Sequence, residues 1–274
     1  MTQPSDESPT TPANPTGIDA YKPLEIANRV EEAGVAKTRL PTLSIAMLGV
    51  LAGVFIAFGG MFYTLVMTGA DAGFGPSRLL GGIAFSLGLI LVVIAGAELF
   101  TGNTLIVMAW VDRRISTLAL MRNWIVVYVA NLIGSLIMAA LFVAAGSLDM
   151  AGGAVGETAA KIATGKLALP FDQAFVRGAL CNALVCLAVW LTFAARSVIG
   201  KIFAIIWPVT AFVALGFEHS IANMYLIPVG IAAGAQGSAM DVLGNLVPVT
   251  LGNIVGGAGG VAMSYWAIYR RGNY

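Results

Sequence analysis

The chain is poor in the residues that build most enzyme centres. Its 274 residues include one histidine and two cysteines, and only 11% are charged. It has neither a Cys-x-x-Cys pair nor a His-Glu-x-x-His motif, so ligands for an iron–sulfur cluster, a bis-histidine haem or a protease zinc are missing. A net charge of +1 without a basic run also argues against nucleic acid as a partner. We therefore expect no enzyme, no metal site and no cofactor.

What the chain has in abundance is apolar surface. Apolar residues make up 58% of the sequence and the mean hydropathy is +0.86, whereas soluble domains carry about 25% charged residues. Six apolar stretches are each long enough for the ~20 residues that cross a bilayer core of ~30 Å. They are residues 42–67, 80–110, 123–146, 173–199, 202–234 and 244–269. The sequence predicts an all-α integral membrane protein with six transmembrane helices in a lipid bilayer.

The N-terminal region differs from the rest. Residues 1–20 are polar and proline-rich, which is typical of a disordered tail, and residues 21–40 have the apolar spacing of a short amphipathic helix. Residues 41–271 form the predicted six-span domain. Placing the N-terminus inside leaves only Arg78, Lys161, Lys166 and Arg177 outside, against eleven basic residues inside. The positive-inside rule therefore predicts that both termini are cytoplasmic and that the protein lies in the inner (cytoplasmic) membrane.

The two halves of the chain repeat each other. The pattern G-x-E-x-x-x-x-N occurs at residues 96–103 and again at 216–223, and N-[LI]-[IV]-G occurs at 131–134 and at 253–256. Chance similarity between glycine-rich membrane segments is the alternative explanation. Three spans per half is an odd number, so related halves would have opposite topology. The pattern predicts two inverted three-helix repeats.

Ionisable residues inside the spans point to a functional site. Of fourteen acidic residues, only Glu98 and Glu218 lie well inside predicted spans, and the single histidine, His219, follows the second of them. Such groups cost at least ~2.5–3.5 kcal/mol at mid-bilayer, so they usually face a cavity or a partner. The polar runs around them predict that the second and fifth helices are broken, which presents backbone N–H groups to a small anion.

Roles can be assigned to these residues. The two glutamates either cap the broken helices or bond backbone N–H groups, so we place them in a supporting shell with Asn103 and Asn223. His219 has no counterpart in the first half, where Leu99 stands, and is assigned to the pathway. Its expected companions are Thr101 in the other break and Asn182 in the fourth span.

At this point the chain resembles the formate/nitrite transporter family. Val93–Gly102 (VIAGAELFTG) and Gly178–Ala188 (GALCNALVCLA) look like two signatures of that family, and residues 216–225 and 245–257 resemble its fifth and sixth spans. Ala183 stands where a bulkier apolar residue is usual. The resemblance covers roughly residues 23–271.

The resemblance implies an aquaporin-like protomer that assembles as a homopentamer, with a separate pathway in each protomer. It implies that His219 is central, that Lys166 lies near the outer mouth and that Asn182 lines the path. It also implies apolar constrictions, although an aromatic residue or leucine in a span more often packs or faces lipid. The constriction residues would be Phe85, Leu89, Leu99, Phe100 and Phe212.

Together these features predict transport of a small monovalent weak-acid anion, with a proton gained near His219 before the neutral acid crosses the apolar rings. The resemblance favours formate. Nitrite and hydrosulfide are the alternatives within the family, and an electrogenic anion channel without substrate protonation is the alternative mechanism. A neutral-solute facilitator is less consistent with the chain, because paired Asn-Pro-Ala motifs are missing.

Overall fold

The computed structural model describes residues 20–271, and every regular element in that range is helical. The predicted tail at residues 1–20 therefore lies outside the described residues except for its last position. The helices are α1 (Pro23–Arg39), α2 (Thr42–Met67), α3 (Phe74–Leu91), α4 (Phe100–Asn103), α5 (Val107–Val111), α6 (Thr117–Ala144), α7 (Ala154–Leu167), α8 (Phe171–Ala194), α9 (Val198–Ala214), α10 (Ser220–Ala232), α11 (Ala239–Ile254) and α12 (Met263–Tyr269).

Helical runs of a different pitch extend or join several of these helices. A π-helical run, Val92–Gly96, continues α3, and a second one, Val255–Ala262, joins α11 to α12. A short 3₁₀ run, Thr104–Ile106, joins α4 to α5. Among the described residues, five continuous helices are then long and apolar enough to cross a membrane, and three more apolar helices are shorter. The chain is a multi-pass membrane protein.

Both predicted breaks are present. The α3 helix with its π-helical extension ends at Gly96, which has a φ of +87°, and α4 starts at Phe100 after three residues. The α9 helix ends at Ala214, Gly216 has a φ of +72°, and α10 starts at Ser220. Glycine adopts positive φ without steric cost, so it allows the chain to turn sharply at the end of one helix, a few residues before the next helix begins. The prediction of broken second and fifth helices is confirmed.

The predicted spans differ from the structure in two ways, in the position of several helix starts and in one helix that was not predicted. The second span starts at Phe74 instead of 80, and the sixth starts at Ala239 instead of 244. The third span starts at Thr117 instead of 123, because the Ser116 side chain caps the helix by accepting from the Ala119 N–H at 3.2 Å. The second difference is α7, which no predicted span contains. This helix of 14 residues carries three charged side chains, so it lacks the apolar run by which spans are recognised. It packs against α10.

The packing of the two halves is alike. The α2 helix packs against α6, and α8 packs in the same way against α11. The α1 helix packs against α5, as α7 packs against α10. The hydrogen bonds of the two halves match as well, as described below. The opposite orientation of the two halves in the membrane stays a prediction.

Small residues allow the close packing of these helices inside the protomer. A β-carbon at Gly53 would clash with the carbonyl of Asn131 on α6, and one at Gly256 would clash with the carbonyl of Ala179 on α8. Close approach of this kind is typical of membrane helices. These two glycines therefore serve contacts within one chain.

Candidate functional site

A cavity of about 970 Å³ reaches from exposed residues such as Asp71 down to His219. All four basic residues that were predicted on the outer side line this one cavity, and they come from three different helices, α3, α7 and α8. Phe85 and Phe212 also lie in its wall, and Phe212 is next to His219. The basic residues of the cavity are Arg78, Lys161, Lys166 and Arg177.

His219 lies between the two broken helices, and only 3% of it is exposed. It is the N-cap of α10, where its Nδ1 atom accepts from the Ala222 N–H at 3.0 Å. Its Nε2 atom lies 2.9 Å from the Thr101 hydroxyl in the first turn of α4. Because Nδ1 accepts a hydrogen bond, a neutral imidazole carries its proton on Nε2 and donates to Thr101. The structure thus brings together two residues that were predicted as companions.

Thr101 is itself held from behind. Its carbonyl accepts from the Thr104 hydroxyl at 2.7 Å and from the Asn182 amide at 3.2 Å. The Asn182 amide also lies 2.7 Å from the carbonyl of Asn253. Asn182 is fully buried and does not line the cavity, and its Oδ1 atom has no hydrogen-bond partner among residues 20–271. Asn182 lies on the fourth span and therefore joins α4 to the sixth span.

Glu218 belongs to a buried network of hydrogen bonds. Lys166 donates to both oxygens of Glu218, at 2.9 and 3.0 Å, and Asn223 donates to the same carboxylate at 2.6 Å. Asn223 also donates to Asn245 at 2.8 Å. Lys166 lies on α7 at the cavity wall, and Glu218 neutralises its charge there. This network of hydrogen bonds fixes the loop that carries His219.

The first half of the protein contains an equivalent hydrogen-bond network around Glu98. Lys37 of α1 donates to Glu98 at 2.7 Å, and Asn103 donates to Glu98 at 2.6 Å and to Asn123 at 2.9 Å. Lys37, Asn123 and Asn245 were not identified from the sequence. A spacing signal for Lys37 exists once the contacts show that Gly49 and Gly178 are equivalent, since Lys37 stands 12 residues before Gly49 as Lys166 stands 12 before Gly178.

Two asparagines hold the broken ends in place. The Asn131 Oδ1 atom accepts from the Phe100 N–H at 3.0 Å, and its amide donates to the carbonyls of Glu98 and Gly49. Asn253 bonds Ser220, Glu218 and Gly178 in the same three ways. Each asparagine thereby satisfies backbone groups that a helix break leaves unpaired in an apolar medium. The repeat in the sequence is thus a repeat of contacts.

The predicted constriction residues all belong to one buried apolar cluster, and the structure divides them into two groups. The rings of Phe85 and Phe212 meet edge to face, with centroids 5.8 Å apart, and Phe212 also lies parallel to the His219 ring at 6.0 Å. Phe100 instead packs on Trp124 and Tyr128 of α6. Only the first pair lines the cavity. The cluster includes Phe85, Leu89, Leu99, Phe100 and Phe212.

Arg78 is a further residue that sequence reasoning missed as part of the site. Its guanidinium donates to the carbonyls of Ala214 at 2.6 Å and Val213 at 3.0 Å. These are the last carbonyls of α9 before the break, where a cation is favourable to the helix dipole. Arg78 thus fixes the end of the helix from which the His219 segment departs.

Ion pairs of the buried Glu31 attach the α1 helix to residues that follow α5 and α12. Glu31 is fully buried and forms ion pairs of 2.8 Å with Arg114 and with Arg270. Burial raises the pKa of the Glu31 carboxyl, and its hydrogen bond with Arg114 opposes that rise. Asp112 accepts from the Trp266 indole N–H and pairs with Arg270 at 3.1 Å. These contacts fix α1 and so the position of Lys37.

Comparison with known proteins gives a consistent result. The sequence profile of the family described as "Formate/nitrite transporter" matches residues 24–267. The formate channel FocA of Escherichia coli strain K12 is 42% identical over 276 aligned positions, which cover 93% of this chain and 97% of the relative. A probable formate transporter of Methanothermobacter thermautotrophicus is 43% identical, with 92% and 98% covered. These relatives are channels and transporters.

Two solved structures resemble the fold. One, described as a pentameric formate channel with formate bound, has a TM-score of 0.78 and 46% identity, and the match covers 83% of this chain and 97% of that one. The other, described as an FNT family ion channel, has a TM-score of 0.82 and 29% identity, with 89% and 98% covered. The similarity extends over most of the chain in both sequence and structure.

Proposed function

The chain belongs to the formate/nitrite transporter family, and we propose from this premise that it transports formate along a path from the basic cavity past His219. The observation that carries the proposal is the contact between His219 and Thr101, which joins the two broken helices at the floor of the cavity. The same relatives support a transport protein and not an enzyme.

Formate gains a proton on this path. Transfer of a bare carboxylate into a medium of low dielectric costs on the order of tens of kcal/mol. A carboxyl group with a pKa near ~4 is protonated at pH 7 at a cost of about 4 kcal/mol, at 1.36 kcal/mol for each pKa unit. The Phe85 and Phe212 rings beside His219 make the next part of the path apolar. Crossing as formic acid is therefore the route of lower free energy.

His219 acts as a neutral hydrogen-bond donor in this proposal. An imidazolium has no lone pair on Nδ1, so protonation of His219 would break the hydrogen bond from Ala222. With Nε2–H donating to Thr101, the proton of the Thr101 hydroxyl is left to donate to the substrate. The proton that converts formate to formic acid then comes from the external solution, through the water of the cavity. This arrangement orients the anion without charging the histidine.

The proposal also includes an assembly and an orientation in the membrane. A pentamer is supported by the solved relative that is described as pentameric. With the N-terminus inside, eleven basic residues lie on the inner side and four on the outer side. This distribution supports cytoplasmic termini, an inner-membrane location and a cavity that faces outward. In this orientation α1 is a cytoplasmic surface helix and residues 41–271 form the channel domain.

Flux measurements in proteoliposomes test the function. We expect formate to compete with nitrite and hydrosulfide for entry and to be preferred over both. We also expect entry to rise as the external pH falls and to carry no net current. Preference for nitrite or hydrosulfide would change the substrate, and a sizeable current at every pH would support the electrogenic anion channel. Swelling in glycerol without formate flux would indicate a neutral-solute facilitator.

A further inference from the structure

The two halves of the chain carry different side chains at one equivalent position beside the path. The Glu218 N–H donates to the carbonyl of Arg177 at 3.2 Å, and the Glu98 N–H donates to the carbonyl of Leu48 at the same distance. Arg177 and Leu48 therefore occupy the same place in the two repeats. One half has a guanidinium where the other has an apolar side chain.

The charge of Arg177 is not neutralised. The residue is half-buried and lines the cavity, and its guanidinium has no hydrogen bond or ion pair within the described part of the chain. Lys166, by contrast, is paired with Glu218. The Nε and Nη2 atoms of Arg78 donate to two backbone carbonyls. Arg177 is thus a cation with free donors that lies next in sequence to Gly178, whose carbonyl Asn253 holds.

The remaining charges of the cavity lie further out. Lys161 is exposed and stands five residues before Lys166, whereas the residue five before Lys37 is the acidic Glu32. Glu157 is also exposed and lies one turn from Lys161 on α7, so it partly offsets that lysine. Asp71 is exposed in the loop before α3. These charges leave Arg177 as the half-buried cation that can contact a ligand.

We propose that Arg177 is the residue that captures the anion in the cavity, where it binds a small monovalent carboxylate before the carboxylate reaches His219. A guanidinium donates two parallel hydrogen bonds to a carboxylate, and a cation in a cleft with low-dielectric walls raises the local anion concentration. The equivalent position of the first half, which the inverted repeat places toward the opposite side, has Leu48 in place of this group. The half-saturating formate concentration is therefore lower for entry from the cavity side than from the opposite side. This inference rests on the proposed formate transport.

The test compares initial rates of isotope-labelled formate entry in right-side-out and inside-out membrane vesicles. Arg177→Leu, which installs the residue of the other half, is expected to raise the half-saturating concentration from the cavity side by about tenfold. The maximal rate and the entry from the opposite side are expected to change less than about twofold. Arg177→Lys should retain most of the affinity. Lys201→Leu, which removes a half-buried cation at the start of α9, is the matched control and should leave cavity-side entry unchanged.

The reverse variant gives an independent result. Leu48→Arg should lower the half-saturating concentration for entry from the opposite side, and it decides the proposal if Arg177→Leu does not assemble. Higher ionic strength, set with an impermeant salt, should reduce the difference between the two sides in the wild type. An unchanged half-saturating concentration in Arg177→Leu, with formate transport intact, would overturn the capture site alone. Failure of the wild type to move formate would overturn the proposed function as well.

Discussion

The Nε2 atom of His219 lies 2.9 Å from the hydroxyl of Thr101, a residue 118 positions earlier in the chain. Each of the two residues stands at the start of the second part of a broken helix. The contact therefore joins the two halves of the protein at one hydrogen bond. The other ring nitrogen caps α10, so one imidazole has both a structural and a transport role in the proposed mechanism.

Two substitutions at His219 separate these roles. His219→Asn retains an acceptor for the Ala222 N–H but cannot reach Thr101, whereas His219→Phe retains only the ring beside Phe212. We expect both variants to assemble and both to lose at least about tenfold in formate flux at pH 7, since one transition-state hydrogen bond is worth at least this much. His219→Phe should in addition lose about 1 kcal/mol of stability with the cap.

The measurement is formate flux between pH 5 and pH 8, together with thermal unfolding of the solubilised oligomer. The rise of flux at low pH should persist in both variants at the reduced level, because the proton comes from the solution and not from the imidazole. A variant with normal oligomers and the wild-type flux across this pH range would show that His219 has no part in the path.

The Lys166–Glu218 ion pair gives a prediction about stability. Lys166→Met leaves the carboxylate of Glu218, which is 5% exposed, without its cation, and removal of one partner of a buried pair costs about 3–5 kcal/mol. The double variant Lys166→Met/Glu218→Gln should recover most of this loss, because no buried charge remains. Lys37→Met is the matched variant of the other half. Its loss should be smaller, since the Lys37 side chain is 31% exposed and water reaches the site.

Thermal unfolding of the solubilised protein measures all three variants. If the double variant unfolds as early as Lys166→Met, the loss does not come from an uncompensated charge, and this explanation of the pair is wrong.

The broken helices could be predicted because their residues are unusual for a membrane span. Glu98, Glu218 and His219 are costly in a bilayer, and glycine precedes each segment at a fixed distance. Such residues identify a site without any knowledge of the packing. The same reasoning located Thr101 and Asn182 near the break, although it assigned Asn182 to the path and the structure places its amide behind Thr101.

Lys37 and α7 could not be predicted in the same way. Lys37 is one of several charged residues on an amphipathic helix, and only the fold brings it to Glu98, 61 positions away. The α7 helix combines alanine with charged residues, so hydropathy does not distinguish it from a loop. Both become visible only when the two halves are aligned by their contacts. Long-range pairing is the information that a single sequence gives least directly.

Gly257 offers a test of the support behind Thr101. It is buried in the π-helical run, and a β-carbon there would clash with the Thr104 hydroxyl and the Asn182 amide. Gly257→Ala should therefore displace the groups that hold the Thr101 carbonyl. We expect formate flux to fall by about tenfold, because a displacement of a functional group by ~1 Å can reduce a rate by about a hundredfold. Gly259→Ala is the matched control, because a β-carbon at Gly259 meets nothing within 4 Å.

Both variants are measured for flux and for the amount of assembled oligomer. Equal flux in the two alanine variants would mean that the position of Thr101 does not limit transport.

The ring of Phe85 supplies the last prediction, which concerns selection by size. Phe85 is 4% exposed, lines the cavity and packs edge to face against Phe212 and Tyr63. Phe85→Ala removes the ring beside His219, so we expect acetate flux to rise severalfold relative to formate flux. The substitution also costs about 3–5 kcal/mol of packing, so the ratio of the two fluxes is more informative than either flux alone.

Phe142→Ala is the control for that ratio. Phe142 is half-buried and packs against Tyr225, but it does not line the cavity. Its loss removes an aromatic ring of the same size and should lower stability without changing the acetate to formate ratio. If Phe85→Ala leaves the ratio at the wild-type value, the Phe85 ring does not form the narrow part of the path. The selection against larger acids would then have to lie at other apolar residues of the same cluster, such as the buried Leu89 and Leu99.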